Sequence, residues 1–226
     1  MRKRIFQWLG REFISLSAEG RPAKSAADEA RDIFKRFDDE LKAMGLSLDH
    51  TVRTRLWGRD RESRDQGSAE RVKILSGKAR SASSSFISPV RFGSDASVAV
   101  DLWAMRPTIQ ERQKILKEYD PPIAPLRYLT YDSVVFLSGV TAVLPTLEDQ
   151  MADILPRIEG SLKDAGGSWS HAVKVSFLLH RSQSFEKLKE SFQKHVKAKV
   201  PEMDYFQVDG YSSEGKLIEI EVTATL

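Results

Sequence analysis

Residues 45–52 read GLSLDHTV, and 121 residues later residues 166–173 read GGSWSHAV. Both strings carry glycine, serine, histidine and valine at the same places. The same offset aligns residues 16–63 with the second half of the chain without a gap. Further identities in this register pair Asp28 with Asp149, Arg36 with Arg157 and Leu41 with Leu162. A repeat held in one register over this length is the signature of a duplicated domain.

Each copy predicts the same order of elements, β-β-α-β-α-β-β. Apolar residues at helical spacing run from Ala27 to Met44 in the first copy and from Met151 to Ala165 in the second. Gly45 and Gly166 then stand where a left-handed residue ends a helix. A mixed sheet with helices on one face satisfies this order, so the predicted fold class is α+β.

The segment between the copies is predicted to be a stiff connector. Thr108 is expected to cap a short helix that reaches Lys117, and the prolines of DPPIAP then stop it. The second helix of each copy is predicted over residues 68–75 and 185–196. The predicted domains are residues 1–104 and 126–226, with residues 105–125 as the linker.

Composition excludes several classes of chemistry. The 226 residues include no cysteine, which rules out disulfides and thiolate chemistry and suits a reducing compartment. The four histidines have no metal-ligand spacing, so we expect no metal and no cofactor. The basic start MRKRIFQWLGREF is too interrupted by polar residues for a signal peptide, and no run approaches a transmembrane span. These observations predict a cytoplasmic protein.

Several strings in this chain resemble the reactive-intermediate deaminase family, also called Rid or YjgF-type. They are the repeated G-x-S-x-x-x-x-V after the first helix, FLSG at residues 136–139, A-R-S at residues 79–81 and the closing IEIEVTA at residues 218–224. Their order covers nearly the whole chain, which looks like two such domains fused.

The resemblance implies small domains that form trimers, with ligand clefts where neighbouring domains meet. In the family, the arginine of the A-R-S stretch holds the carboxylate of a 2-imino or enamine acid, here Arg80. A glutamate at the first acidic position of the last strand positions the attacking water, here Glu219. Members hydrolyse the imine to a 2-keto acid and ammonia. Three chains of this protein would supply six domains.

That chemistry is reasonable from first principles, because an imine is already electrophilic. It requires a cation that orients the carboxylate, an acid that handles the proton of water, and a cleft that aligns both. Arginine suits the first role because its planar fork grips a carboxylate with two hydrogen bonds.

Neither copy carries the complete family pair. In the first copy, Lys78 replaces a proline before Arg80, and Ala99 stands where the glutamate is expected. In the second copy Glu219 is present, but Met203 is aligned with the arginine. Three readings stay open: a composite site of Arg80 and Glu219 across the copies, a modified site of Arg80 with Asp101, and loss of catalysis.

Further residues are candidates for substrate contact. Ser81 follows Arg80, while Ser17 and Ser138-Gly139 lie at the end of the second strand, where the family lines its cleft. For these residues ligand contact and plain turn chemistry are equally open. Tyr128 is a candidate because family members often have a pocket tyrosine near this place.

Alternative functions are a non-catalytic small-acid binding or regulatory module and an RNA-directed role. The stretch RLWGRDRESRDQGSAERVK offers Arg55, Arg59, Arg61 and Arg64, with Arg53 upstream, as phosphate contacts. Acidic residues balance this stretch, which favours a solvated loop. We therefore expect a small carboxylate-bearing partner and self-association rather than nucleic acid.

Overall fold

The computed structural model describes residues 1–109 and 111–226. The first copy consists of β1 (Arg2–Trp8), β2 (Arg11–Glu19), α1 (Ala26–Ala43), β3 (Thr51–Gly58), α2 (Arg61–Ile74), β4 (Ala82–Ile87) and β5 (Val98–Arg106). Its sheet has the order β1-β2-β5-β3-β4, in which β3 and β4 are parallel and the other pairs are antiparallel. The predicted β-β-α-β-α-β-β order is therefore present.

The second copy repeats this topology with additional short strands. Its elements are β6 (Ile115–Lys117), β7 (Tyr128–Tyr131), β8 (Val134–Leu137), β9 (Val140–Thr141), α3 (Leu147–Asp164), β10 (Ala172–His180), α4 (Phe185–His195), β11 (Glu202–Val208) and β12 (Ile218–Thr225). Its sheet has the order β11-β10-β12-β8-β7-β6, with β9 also paired to β12. The predicted α+β class is confirmed for both copies.

The helix boundaries repeat because the same local signals occur in both copies. Ser25 caps α1 by accepting a hydrogen bond from Asp28 N, and Thr146 caps α3 by accepting one from Asp149 N, each at 3.1 Å. Beyond the two helices, Gly45 has φ 71° and Gly166 has φ 90°. Residues with a side chain rarely adopt these angles, so glycine ends each helix as predicted.

The predicted linker helix over residues 108–117 is wrong. The described part of this segment contains β6, which pairs with β7 at the edge of the second sheet, and Gln110 lies outside the described residues. Leu116 packs against the cluster between the sheets while its neighbours in β6 face outward. Residues 115–117 thus form an edge strand that buries Leu116, instead of the predicted short helix. The proposed boundaries at residues 104 and 126 stay predictions, and β5 continues to Arg106.

The second helix of the first copy is longer than predicted. It begins at Arg61, because Asp60 accepts a hydrogen bond from Ser63 N at 2.8 Å. The stretch of residues 55–73, which we expected to be a solvated loop, therefore contains the end of β3 and nearly all of α2. Gly67 lets this helix approach the sheet, since a Cβ there would lie 2.8 Å from Val98 Cγ1.

The two sheets pack against each other, and the helices of each copy cover the opposite face. Within each copy the helices and the inward sheet face form one apolar core. Between the copies, one cluster contains Phe13 and Met105 with Leu129 and Phe136. A second interdomain cluster surrounds Tyr211. Of the helices in the described ranges, none is long and apolar enough to cross a membrane.

We expect Gly160→Ala in α3 to stabilise the protein. The added methyl group would meet nothing nearer than Arg127 Nη2 at 3.9 Å, and alanine loses less backbone entropy in a helix than glycine. The free energy of unfolding should rise by about 0.5–1 kcal/mol in urea denaturation. The matched substitution Gly166→Ala should lower it by about 1–2 kcal/mol, because an L residue is strained in the left-handed conformation. Equal effects of both substitutions would contradict this explanation.

Candidate functional site

A cavity of about 360 Å³ lies between the two copies, and we call it the interdomain cavity. The first copy contributes side chains of α2 and β4. The second contributes the turn after β8, the loop before β12 and the start of β12 itself. Tyr119 and residues 123–125 of the connecting segment form another wall. The site is therefore composite at the level of domains.

The turn after β8 is fixed to the edge of the first sheet by two hydrogen bonds. Ser83 N donates to Ser138 Oγ at 3.1 Å, and Gly139 N donates to Ser83 O at 3.4 Å. Ser138 is fully buried. Ser138 thus contributes by joining the copies, whereas Gly139 lines the interdomain cavity.

Gly139 also makes room for Glu219. A Cβ at Gly139 would lie 1.7 Å from Glu219 Oε1, so the carboxyl group lies directly against the glycine. Glu219 itself is 6% exposed and lines the interdomain cavity. The sequence candidates Glu219 and Gly139 are therefore neighbours.

Glu221 lies on the same face of β12 as Glu219 but has charged partners. Its Oε2 is 2.7 Å from Arg55 Nη2 and 3.0 Å from Arg53 Nη1. It also accepts a hydrogen bond from Ser84 Oγ. Burial raises the pKa of this carboxyl, but the two guanidinium charges outweigh burial and lower the pKa to about 2. Glu221 is a fixed anion that joins the copies.

Glu219 makes no ion pair in the described ranges. Burial raises the pKa of its carboxyl to about 7, and the negative charge of Glu221 acts in the same direction. Lys216 and Arg64 lower this pKa by a smaller amount. A carboxyl with a pKa near neutrality can take up or release a proton, as proton transfer in catalysis requires.

Four basic side chains surround this acid. They are Arg64, Arg71, Arg157 and Lys216. Arg71 is buried, and its Nη1 donates to Ser84 O at 2.6 Å. Burial lowers the pKa of Arg71 to about 10. The cavity is therefore suited to an anion.

Arg80 lies in an adjacent cavity of about 300 Å³, the side cavity, which shares Arg71, Val72, Ser83 and Ala124 with the interdomain cavity. Its guanidinium forms an ion pair with Glu118, in which Nη2 lies 3.1 Å from Oε2. Ser81 also lines the side cavity, and its Oγ lies 3.2 Å from Thr54 Oγ1. Arg80 and Glu219 thus line neighbouring cavities.

Asp101 belongs to a different cluster, in the first copy. It accepts hydrogen bonds from Trp57 Nε1 at 2.7 Å, from Ser17 Oγ at 2.6 Å and from Arg91 Nη2 at 3.0 Å. Within residues 1–109 and 111–226, none of these partners forms a hydrogen bond or an ion pair with Arg80. The arrangement does not bring together the pair of Arg80 and Asp101 that the modified-site reading requires, and it places Ser17 with Asp101.

Tyr128 faces away from both cavities. Its ring packs in the core of the second copy, because the alternation of β7 turns it toward α3 while Leu129 faces the other copy. Its hydroxyl donates to Asp164 at 3.0 Å. Tyr128 is therefore a core residue of the second copy and does not line either cavity.

The register of the parallel strands changes which residue of the second copy is equivalent to Arg80. Arg53 pairs with Ala82, and its repeat equivalent Lys174 pairs with Glu202. The residue equivalent to Arg80 is therefore Val200, and the alignment with Met203 was wrong by three residues. Local similarity is too weak there to fix the register without the neighbouring strand. The second copy still lacks an arginine at this place.

The antiparallel register agrees with the alignment on the last strands. Ala99 lies opposite Trp57, and Glu219 lies opposite Leu178, the repeat equivalent of Trp57. Ala99 is accordingly the counterpart of Glu219.

The sequence analysis considered Arg64 only as a possible phosphate contact, and it did not name Arg71 at all. Both lie in the charge-balanced stretch of residues 55–73. They are seven residues apart with Gly67 between them, so two helical turns place them on one face of α2. The seven-residue spacing of these two arginines could have indicated that they share one helix face. It was hard to recognise because α2 has few apolar residues to define the helix.

Arg53 and Arg55 are unsuited to the phosphate contacts of an RNA-directed role. Both are largely buried and paired with Glu221. Arg55 also lies over the ring of Phe206, 4.9 Å from its centroid. These two cations join the copies rather than form a basic surface.

Comparison with known proteins identifies one matching family model and one curated relative. Residues 122–226 match the model of the family described as Endoribonuclease L-PSP. The curated Reactive Intermediate Deaminase A, chloroplastic, of Arabidopsis thaliana is 32% identical over 103 residues, which are 42% of this chain. The chain spans about half of that relative, 54% of its length.

Comparison with solved structures identifies proteins of similar fold. A chorismatase aligns with 98% of this chain and 79% of its own length, with a TM-score of 0.71 and 12% identity. This likeness is one of fold, and it includes both copies. A member of the YjgF/YER057c/UK114 family from Mycobacterium tuberculosis covers 50% of this chain and 100% of its own, with 19% identity and a TM-score of 0.46.

Substitution of Glu219 by glutamine should change how stability depends on pH. The pKa of this carboxyl is about 7 in the folded chain and 4.5 ordinarily, so folding favours its protonated form. That stabilisation is complete below pH 4.5 and is lost as pH rises through 7. Relative to the wild type, E219Q should gain on the order of 3 kcal/mol in unfolding free energy between these limits.

Urea denaturation at several pH values measures this difference. The exposed Glu190 on α4 supplies the matched control, E190Q, which should follow the wild type throughout. An E219Q difference that does not vary with pH would contradict the raised pKa.

Proposed function

Because this chain belongs to the endoribonuclease L-PSP (Rid or YjgF-type) family through residues 122–226, we propose that it hydrolyses a small imine or enamine that carries a carboxylate. The reaction takes place in the interdomain cavity. The observation that carries this proposal is the position of Glu219, a buried acid with a pKa of about 7 in a cavity lined by cations.

Hydrolysis of the C=N bond needs one water and a group that moves protons. Water adds to the carbon of the protonated imine and gives one proton to Glu219. Glu219 passes that proton to the nitrogen of the carbinolamine, and the C–N bond breaks. The hydroxyl group gives its proton to the Glu219 carboxylate as the 2-keto acid forms, and ammonia takes up this proton and leaves as ammonium. Glu219 can return its proton to the departing nitrogen, because its ionised and neutral forms are close in free energy near pH 7.

The carboxylate is held by the cations of the first copy. Arg71 is the proposed anchor, since it lines the interdomain cavity and makes no ion pair in the described parts of the chain. Arg80 was the sequence candidate for this role, but Glu118 holds its guanidinium in the side cavity. The proposed site therefore combines Glu219 with Arg71, which replaces Arg80 of the composite reading.

A second candidate function is binding of a small carboxylic acid without turnover. The pairing of Arg80 with Glu118 favours it, because the cation that the resemblance assigns to substrate is engaged within the chain. Self-association through trimer-type interfaces and a cytoplasmic location stay predictions. The Arabidopsis relative is named as chloroplastic.

Imine hydrolysis is tested by generating imines in place. An amino acid oxidase or a dehydratase forms them from a panel of amino acids, and semicarbazide traps whatever has not been hydrolysed. Added protein should lower trapped imine and speed release of keto acid. E219Q should lose about 10²–10⁴-fold of this acceleration, and E190Q should lose none. Absence of acceleration with every imine, together with binding of the keto acids, would favour the second candidate function.

The anchor is tested by comparing Arg71→Gln with Arg80→Ala. Loss of the anchoring cation should weaken substrate binding in R71Q and raise KM more than tenfold, because a charged hydrogen bond contributes about 1.5–3 kcal/mol. R80A should change KM less than threefold. The opposite pattern would return the anchoring role to Arg80. Thermal denaturation of both variants checks that they fold.

A further inference from the structure

The interdomain cavity has more positive than negative charge. Its lining contains four basic side chains and one acid, Glu219. Two of the basic groups are neutralised by exposed carboxylates nearby: Arg64 pairs with Asp65, and Arg157 pairs with Asp153 at 2.9 Å. Arg71 and Lys216 make no ion pair within residues 1–109 and 111–226.

These two cations come from different copies. Arg71 projects from α2 of the first copy, and Lys216 lies in the loop that leads into β12 of the second. The hydrogen bonds of Arg71 go to Ser84 O and Ser68 Oγ, and Lys216 Nζ donates to Ser212 Oγ at 2.6 Å. All these acceptors are uncharged. Glu219 is close enough to both cations for its charge to act on each.

A substrate with a single carboxylate would neutralise only one of the two cations. The other would stay in a partly buried site without a counter-charge, because Glu219 is neutral for part of the time. Desolvated charges without a partner are costly, so the cavity as built favours a second anionic group. A volume of about 360 Å³ allows a small molecule with both groups on one short carbon chain.

We propose that the substrate of this site is a dicarboxylic imine or enamine, with one carboxylate held by Arg71 and the other by Lys216. This inference rests on the proposed function, and it names the substrate class of the same cavity. The guanidinium plane of Arg71 matches a carboxylate. The ammonium of Lys216 is a compact charge that accepts the second group without a fixed angle.

Product analogues test this inference without turnover. The probes are 2-oxoglutarate and 2-oxopentanoate, which share five carbons and the keto group and differ in the second carboxylate. Calorimetric titration should show at least tenfold tighter binding of 2-oxoglutarate to the wild type. Lys216→Gln should reduce that preference to less than threefold, whereas the exposed control Lys194→Gln on α4 should preserve it. Arg71→Gln should weaken both probes.

Lys216 lies in a loop and is half-buried, so we expect K216Q to fold normally. A thermal melt verifies this. Equal affinity for the two probes, or an unchanged preference in K216Q, would overturn the dicarboxylate inference. If imines of monocarboxylic acids are nevertheless hydrolysed, the proposed function survives that result. Preference for 2-oxoglutarate without hydrolysis of any imine would support the binding of two carboxylates by Arg71 and Lys216. It would contradict the proposed deaminase activity. Inorganic phosphate that competes with 2-oxoglutarate more strongly than succinate does would overturn the assignment of a second carboxylate.

Discussion

The buried ion pairs of Glu221 with Arg53 and Arg55 determine how the two halves of this chain meet. Both arginines project from β3 of the first copy, and the glutamate projects from β12 of the second. Removal of one partner from such a group leaves a buried charge, which typically costs about 3–5 kcal/mol. The pairs therefore fix β12 against the first sheet. Because side chains of a strand alternate, they also fix Glu219 on the face toward the other copy.

Two glutamates on one strand thereby acquire opposite properties. Glu221 lies beside two guanidinium groups and stays ionised, with a pKa of about 2. Glu219, two residues earlier, lies against Gly139 without an ion pair in the described residues, and its pKa is about 7. The first carboxylate joins the copies, and the second is available for proton transfer. This division follows from neighbours rather than from residue type.

The two copies have become unlike at the places that matter for the site. In the first, Ala99 occupies the place of Glu219, and Asp101 is held by Trp57, Ser17 and Arg91. In the second, Val200 occupies the place of Arg80. The interdomain cavity combines cations of the first copy with the acid of the second. The proposed site thus lies at the junction of two halves, each of which lacks one member of the family pair.

Sequence alone determined the internal repeat, the order of elements, the α+β class and the ends of α1 and α3, because these follow from local periodicity, capping and glycine conformation. It also singled out Glu219 and Gly139, which the fold brings into contact. It did not place Arg64 in the cavity or single out Arg71, and it did not reveal the true length of α2, the strand β6 or the register that equates Arg80 with Val200. Those features depend on packing and pairing between residues far apart in the chain, and no local pattern records them. Only the tertiary structure decided which cations of one copy surround the acid of the other, because that choice depends on how the sheets are joined by buried charge.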